Sequence, residues 1–225
     1  MKLKRTLTSI VALLLACIMP LSAIAATYEV ATGAELAEKF NATTEDATVD
    51  ITITADITDT IGDLNSQSGK TYTINANSDE NGTKYEIKQS VTVKGDGDVS
   101  INTNINTSGD ALTVEGGANV TVDGSITSSN GDGVVAKQDG NENSPTVVIK
   151  DDIIVENVGV NASGDSNVTV DGDITSNSKQ GKGVSAQGNA EVEVTGKVES
   201  KDANTSYAYS SAGVSASDNS KVTPW

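Results

Sequence analysis

The residues of this chain that could do chemistry are carboxylates. Asp96 with Asp98, Asp151 with Asp152, and Asp171 with Asp173 are close pairs, the first and third with a glycine between the two acids. Two carboxyl groups at suitable separation could act as the acid and base of a glycosidase. Pairs of this kind could also offer hard oxygen ligands to calcium. The rest of the catalytic repertoire is missing. The 225 residues hold no histidine, one arginine (Arg5) and one cysteine (Cys17), both near the start. Downstream of them there is no imidazole base, no thiol nucleophile, no disulfide and no guanidinium clamp. A general acid needs an apolar pocket to raise its pKa. Seven aromatic residues (Tyr28, Phe40, Tyr72, Tyr85, Tyr207, Tyr209 and Trp225) are few from which to build one. The corner acids therefore read as solvated turns, and no catalytic, metal or cofactor site is expected. Asp139-Gly-Asn-Glu-Asn143 lacks the closing Glu of an EF-hand loop, so calcium binding is expected to be weak at most.

Charge narrows the partners. There are 31 acidic and 15 basic residues. Three of the bases (Lys2, Lys4, Arg5) lie in a 26-residue stretch without acids, so the remainder carries 12 − 31 = −19. Such a surface repels phosphate, which argues against nucleic acid. Residues 1–26 read as a signal peptide: a basic start, an apolar run from Leu7 to Leu21, and Ala23-Ile24-Ala25 as cleavage box. Cleavage is expected after Ala25 or Ala26. The apolar run is short for a membrane span. Leu14-Leu-Ala-Cys17 resembles a lipoprotein box, but apolar residues come after Cys17 where a polar tether should stand. Secretion or surface display is expected, with no membrane span once the leader is removed.

Repeats dominate the rest of the chain. Gly-Val-x-Ala recurs at Gly133, Gly159, Gly183 and Gly213. A second motif, Val-x-Val-x-Gly-x-Ile/Val, begins at Val120, Val168 and Val192, with looser forms near Val99, Val147 and Val222. Period-2 valines make short strands with one buried face. A unit of two or three such strands buries that face only by stacking on its neighbours. The chain is expected to be an all-β, right-handed parallel β-helix with repeats of about 21–30 residues and three sides. Six or seven coils at about 4.8 Å each make a core roughly 30 Å long. A β-sandwich is the competing reading. Its hairpin strands would have no reason to resemble one another.

Three segments result: a leader (1–26), a cap (27–60) and coils (61–225). Thr32-Gly-Ala-Glu35 has capping-box spacing ahead of Leu36 and Phe40, which predicts a short helix over about 33–40 covering the first coil. Val49 to Ile57 reads as one alternating strand. At the far end Pro224 stands where a second inward valine should be, and the chain reads as an N-terminal fragment of a longer protein or the product of a shortened reading frame.

The leader, the capping helix, the Ile51–Ile57 strand and the repeated coils together resemble the pectate lyase-like right-handed β-helix domains of bacterial surface proteins, often of Gram-positive type. The resemblance implies a stalk or adhesin whose partner is a polysaccharide, a host surface or another cell surface. Pectate lyases of this fold use an arginine base beside aspartate-held calcium, and related polygalacturonases use aspartates with a histidine. After Arg5 this chain has neither base. A non-catalytic adhesin or stalk is therefore the expected function. A carbohydrate-binding module, or a polysaccharide lyase or hydrolase relative, is the alternative. Tyr207 and Tyr209, in the longest insertion, are the candidate ligand-binding residues. The outward slot Thr121, Thr169, Glu193 breaks the threonine row that ice binding needs. Asn-x-Thr triplets at Asn81, Asn119 and Asn167 follow from composition and need not be glycosylated in a bacterium.

Overall fold

A computed structural model describes residues 25–42, 45–140, 143–178, 181–200 and 213–224. The chain is an all-β parallel solenoid of about seven turns with one short helix near its N-terminus. Each full turn has three sides, and stacking the turns makes three parallel sheets.

The first sheet has nine strands: Ala26–Val30, Thr48–Ile53, Thr71–Ala76, Asp98–Asn102, Asn119–Val122, Thr146–Ile149, Asn167–Val170, Glu191–Val194 and Lys221–Pro224. The second has five, running from Ile105–Thr107 through Ile126–Ser128, Ile153–Val155 and Ile174–Ser176 to Val198–Ser200. Single bridges from Ile57 to Ile87 and from Ile87 to Ile105 extend it toward the N-terminus. The third has seven, from Leu64–Ser66 to Val214–Ala216. The repeats set the register. Val99, Val120, Val147, Val168, Val192 and Val222 lie one above another, so successive coils contain 21, 27, 21, 24 and 30 residues.

The core is a set of such columns. Ile57, Ile87, Ile105, Ile126, Ile153, Ile174 and Val198 stack inside the second sheet. Leu112, Val134, Val160, Val184 and Val214 stack inside the third. All but the last residue of each column are buried. Like shapes stack over like shapes, and each buried aliphatic side chain contributes about 1.5–3 kcal/mol by leaving water.

Small residues let the chain turn between sheets. Gly133, Gly159, Gly183 and Gly213, the glycines of the Gly-Val-x-Ala motif, enter the third sheet at one corner. A Cβ on Gly133 would stand 2.5 Å from Ile153 Cγ2 and 2.6 Å from the Gly159 carbonyl oxygen. The constraint here is space, not dihedral freedom. At the same corner, buried Ser128 and Ser176 donate their hydroxyls to the carbonyls of Gly109 (2.7 Å) and Asn157 (2.6 Å). The tight turns thus keep their backbone satisfied inside an apolar tube.

The helix α1 (Gly33–Phe40) replaces two sides of the first turn. Thr32 Oγ accepts from the Glu35 N–H at 3.2 Å, as the capping-box spacing requires. The Glu35 carboxylate reaches back one residue further than expected, to the Ala31 N–H at 2.9 Å. Leu36 and Phe40 are buried, and Phe40 stacks on Tyr72 with ring centroids 4.2 Å apart. Tyr72 occupies an inward slot that neighbouring coils fill with Val49 and Val99, so an aromatic pair plugs the end of the tube. The strand expected from Val49 to Ile57 is two elements. It ends at Ile53, the chain turns a corner through Thr54–Asp56, and Ile57 begins the second sheet. Ala55, between buried Ile53 and Ile57, is only half-buried, and Asp59 beyond them is exposed, so the alternating residue types span a corner and not one flat side.

Carboxylates fasten this end. Asp59 accepts from the Gly33 N–H (2.8 Å) and the Ala34 N–H (3.4 Å). Those backbone bonds hold its pKa below the ordinary Asp value, and the Ala31 bond does the same for Glu35. Asp56 is lowered by the Lys88 ammonium and the Glu86 N–H. A carboxyl with a lower pKa folded than unfolded stabilises fully above its unfolded pKa, and that share is lost as pH falls through the folded one. The amides of Gly33–Phe40 are therefore expected to gain hydrogen exchange below about pH 4, before those of Val120–Val122. Asp59→Asn, which cannot ionise, should show part of this faster exchange already at neutral pH, with the Glu35 share still lost on acidification. Simultaneous loss of protection in both segments would contradict this.

Candidate functional site

Every carboxylate singled out in the sequence has a partner on a neighbouring turn or within its own corner. Asp96 accepts from the Gly117 N–H (3.1 Å) and Asp98 from the Asn119 side-chain amide (2.8 Å). Asp151 accepts from the Asp152 N–H (2.9 Å). Asp152 accepts from the Asp173 N–H, and Asp173 from the Lys197 N–H, both at 2.8 Å. Asp171 pairs with the Lys150 ammonium at 2.8 Å.

These contacts belong to columns. Asp56, Glu86, Asn104, Ser125, Asp152, Asp173 and Lys197 each precede the inward residue that opens the second sheet. Within that column Asp56 takes the Glu86 N–H (2.9 Å) and Asn104 the Ser125 N–H (3.0 Å). A side-chain oxygen thus caps the amide one turn on, where the ladder of strand bonds is interrupted by the corner. The next corner repeats the device, with Asp110 accepting from the Asp132 N–H at 2.9 Å. Amide ladders do related work elsewhere, as in Asp165, Asn189 and Asn219, at 2.6 and 3.2 Å. On the third sheet charges alternate along the axis through Asp63, Lys94, Glu115 and Lys137, at 2.7, 3.8 and 2.7 Å. The Asp63 contact raises the Lys94 pKa. Such exposed pairs contribute about 0–1 kcal/mol each.

Asp132 belongs to none of the carboxylate pairs in the sequence. It is the one buried carboxylate among the described residues, 7 % exposed. It accepts from the Asn157 amide (2.6 Å), the Val158 N–H (3.1 Å) and the Asn161 amide (3.0 Å). Only the 26-residue offset between Gly133 and Gly159 could have placed those partners opposite it.

The nine-stranded sheet has the most strands of the three, and its outer face carries ordered columns of side chains. Its central column reads Asp50, Thr73, Ser100, Thr121, Val148, Thr169, Glu193, Thr223. Val148 stands between Thr121 and Thr169, so the threonine row is interrupted there as well as at Glu193. Toward the C-terminal end a shallow groove of about 110 Å³ opens on this face, lined by Asn167, Thr169, Glu191, Val192, Glu193, Lys221 and Thr223. Its donors and acceptors suit a hydroxyl-rich ligand.

No group of three or more His, Cys, Asp or Glu side chains that could hold a metal ion occurs among the described residues. In the Asp139 loop the Asn143 N–H donates to the Asp139 carboxylate at 3.0 Å. Tyr207 and Tyr209 lie outside the described residues, as does residue 24 and all that precedes it. Ala25 leads directly into the first strand, and Ala26 pairs in register with Val49. No described helix is long and apolar enough to cross a membrane. Fold and site define a parallel β-solenoid whose corner acids bind one turn to the next. No family model, no curated protein and no solved structure matches the chain.

Proposed function

We propose that the protein is a secreted or cell-surface β-helix that works without catalysis, as an adhesin or structural stalk of the pectate lyase-like, right-handed kind. One observation carries this reading: the six candidate carboxylates are engaged in hydrogen bonds or an ion pair, five of them reaching to the adjoining turn. Acids engaged in this way support length and rigidity. The charge of −19 keeps such a rod soluble and discourages lateral pairing.

The exported chain, purified from its source, is expected to be retained by immobilised polysaccharide or by intact cells. It should release neither unsaturated nor reducing ends from polyuronates. Release that falls in Asp171→Asn or Asp173→Asn would establish an enzyme instead. Recovery of the chain from the cytosol with its leader attached would remove the export on which this function depends.

The groove on the nine-stranded sheet favours a second reading, a carbohydrate-binding module. On a glycan array, that module would lose signal in Glu193→Gln. A module built on the long insertion would lose it in Tyr207→Ala and Tyr209→Ala.

A further inference from the structure

We infer that Asn81 is an N-glycosylation site, accepting a glycan from a lipid-linked glycosyl diphosphate on the export side of the membrane. The Asn-x-Ser/Thr triplet is common in this chain, and the structure separates the copies. Asn119 and Asn167 lie in internal strands of the nine-stranded sheet, hydrogen-bonded on both sides. Asn119 also spends its side-chain amide on Asp98. Asn106, of Asn106-Thr-Ser108, sits in the second sheet between Ile87 and the Ile126–Ser128 strand. Asn161, of Asn161-Ala-Ser163, donates its amide to Asp132, and Asn41, of Asn41-Ala-Thr43, donates to the Asp63 carbonyl. In each of these five a transferase would have to open the coil or the cap contact to reach the acceptor. Asn204, of Asn204-Thr-Ser206, lies outside the described residues.

Asn81 stands on a different kind of structure. Ten residues lie between Ala76 and Ile87, where two lie between Asn102 and Ile105 on the next turn. The extra residues form a small hairpin closed by a bridge between Ser78 and Lys84. Asp79 organises its tip. Its carboxylate accepts from the N–H groups of Asn81 (2.9 Å) and Thr83 (2.8 Å). Its own N–H donates to the Thr83 carbonyl at 2.8 Å, and its carbonyl accepts from Gly82 at 3.0 Å. Gly82 has φ +81°, a left-handed turn position. All residues from Glu80 to Lys84 are exposed. The side chains of Asn81 and Thr83 make no hydrogen bond with another described residue, whereas their backbone is held. An exposed triplet on an ordered turn that projects from the scaffold is the setting in which a bulky glycan can be attached without disturbing the fold.

The step balances simply. Asn81 Nδ2 bonds to the anomeric carbon of the donor sugar. The bond from that carbon to the diphosphate oxygen breaks, its electron pair leaving with the diphosphate, and Nδ2 gives up one proton. The inference rests on the export proposed above, so the test reads both. The chain is purified from its source, and its intact mass and glycopeptides are measured. A mature N-terminus near Ala25 or Ala26 with a sugar mass on Asn81 is the expected result. Asn81→Gln and Thr83→Val should each abolish that mass. Thr83→Ser should keep it, and Asn167→Gln should leave it unchanged. None of these side chains supports the fold, so all four variants remain folded. An exported chain bare at Asn81, or one carrying its sugar on Asn119 or Asn167, overturns the inference. A chain that keeps its leader overturns export itself.

Discussion

Gly159→Ala is expected to destabilise the solenoid by about 3 kcal/mol or more, the upper end of what overpacking a core costs. The added methyl would lie 2.5 Å from the Gly183 carbonyl oxygen and closer still to Ile174 Cγ2. Neither obstacle moves easily. The carbonyl accepts the Val160 N–H at 2.9 Å, and Ile174 belongs to the column that fills the tube. Gly133 and Gly183 meet the same two obstacles from their own turns, so a methyl there should cost a similar amount. Gly140→Ala is the control. Its Cβ would meet no heavy atom of a described residue within 4 Å, and it should stay within about 0.5 kcal/mol of the parent. Urea midpoints tracked by circular dichroism would measure both. Ile174→Ala added to Gly159→Ala removes one obstacle and leaves the carbonyl, so the double variant should cost less than the sum of the two singles. Equal midpoints for Gly159→Ala and Gly140→Ala would mean that successive turns are not stacked as described.

What the sequence reveals about this fold depends on how far apart the cause and its effect lie. A valine pair with one residue between is local, and its recurrence names both the strand and its neighbour. Val120 over Val147 and Val134 over Val160 can be read off directly. The capping helix is also local, with Thr32, Glu35, Leu36 and Phe40 within nine residues. The corner at Thr54–Asp56 is hidden because a period-2 pattern does not say where a flat side ends. Tyr72 looks like one of a few scattered aromatics. Its place under Phe40 needs the register of the first two full turns. The acids are the hardest to read. Asp152 and Asp173 are 21 residues apart, Asp173 and Lys197 are 24 apart, and the intervening insertions vary in length. Glycine-rich acidic corners look solvated until the turns are aligned. Once they are, Asp152 and Asp173 each meet the backbone amide that the corner leaves without a strand partner, and Asp171 meets the Lys150 ammonium.

Asp132→Ala should reveal this most clearly, at a cost of about 3 kcal/mol. Removing the carboxylate leaves the Val158 N–H and the amides of Asn157 and Asn161 without their acceptor in a buried place. Asp132→Asn keeps one acceptor oxygen but turns a donor toward one of the two asparagine amides, so it should fall between Ala and the parent. Asp151→Ala, which removes only an acceptor for the adjacent Asp152 N–H at an exposed corner, should change little. In a stack of turns, stability is close to a sum of repeat and interface contributions. The damage should therefore centre on the interface between Val134–Lys137 and Val160–Ser163, read as faster hydrogen exchange there than in Thr71–Ala76. A cycle with Asn161→Ala should show coupling above about 0.5 kcal/mol, since both changes break one contact. If Asp132→Ala costs no more than Asp151→Ala, the corner acids do not hold the turns together. They would then be open to the ligand or catalytic roles that the proposed function denies them.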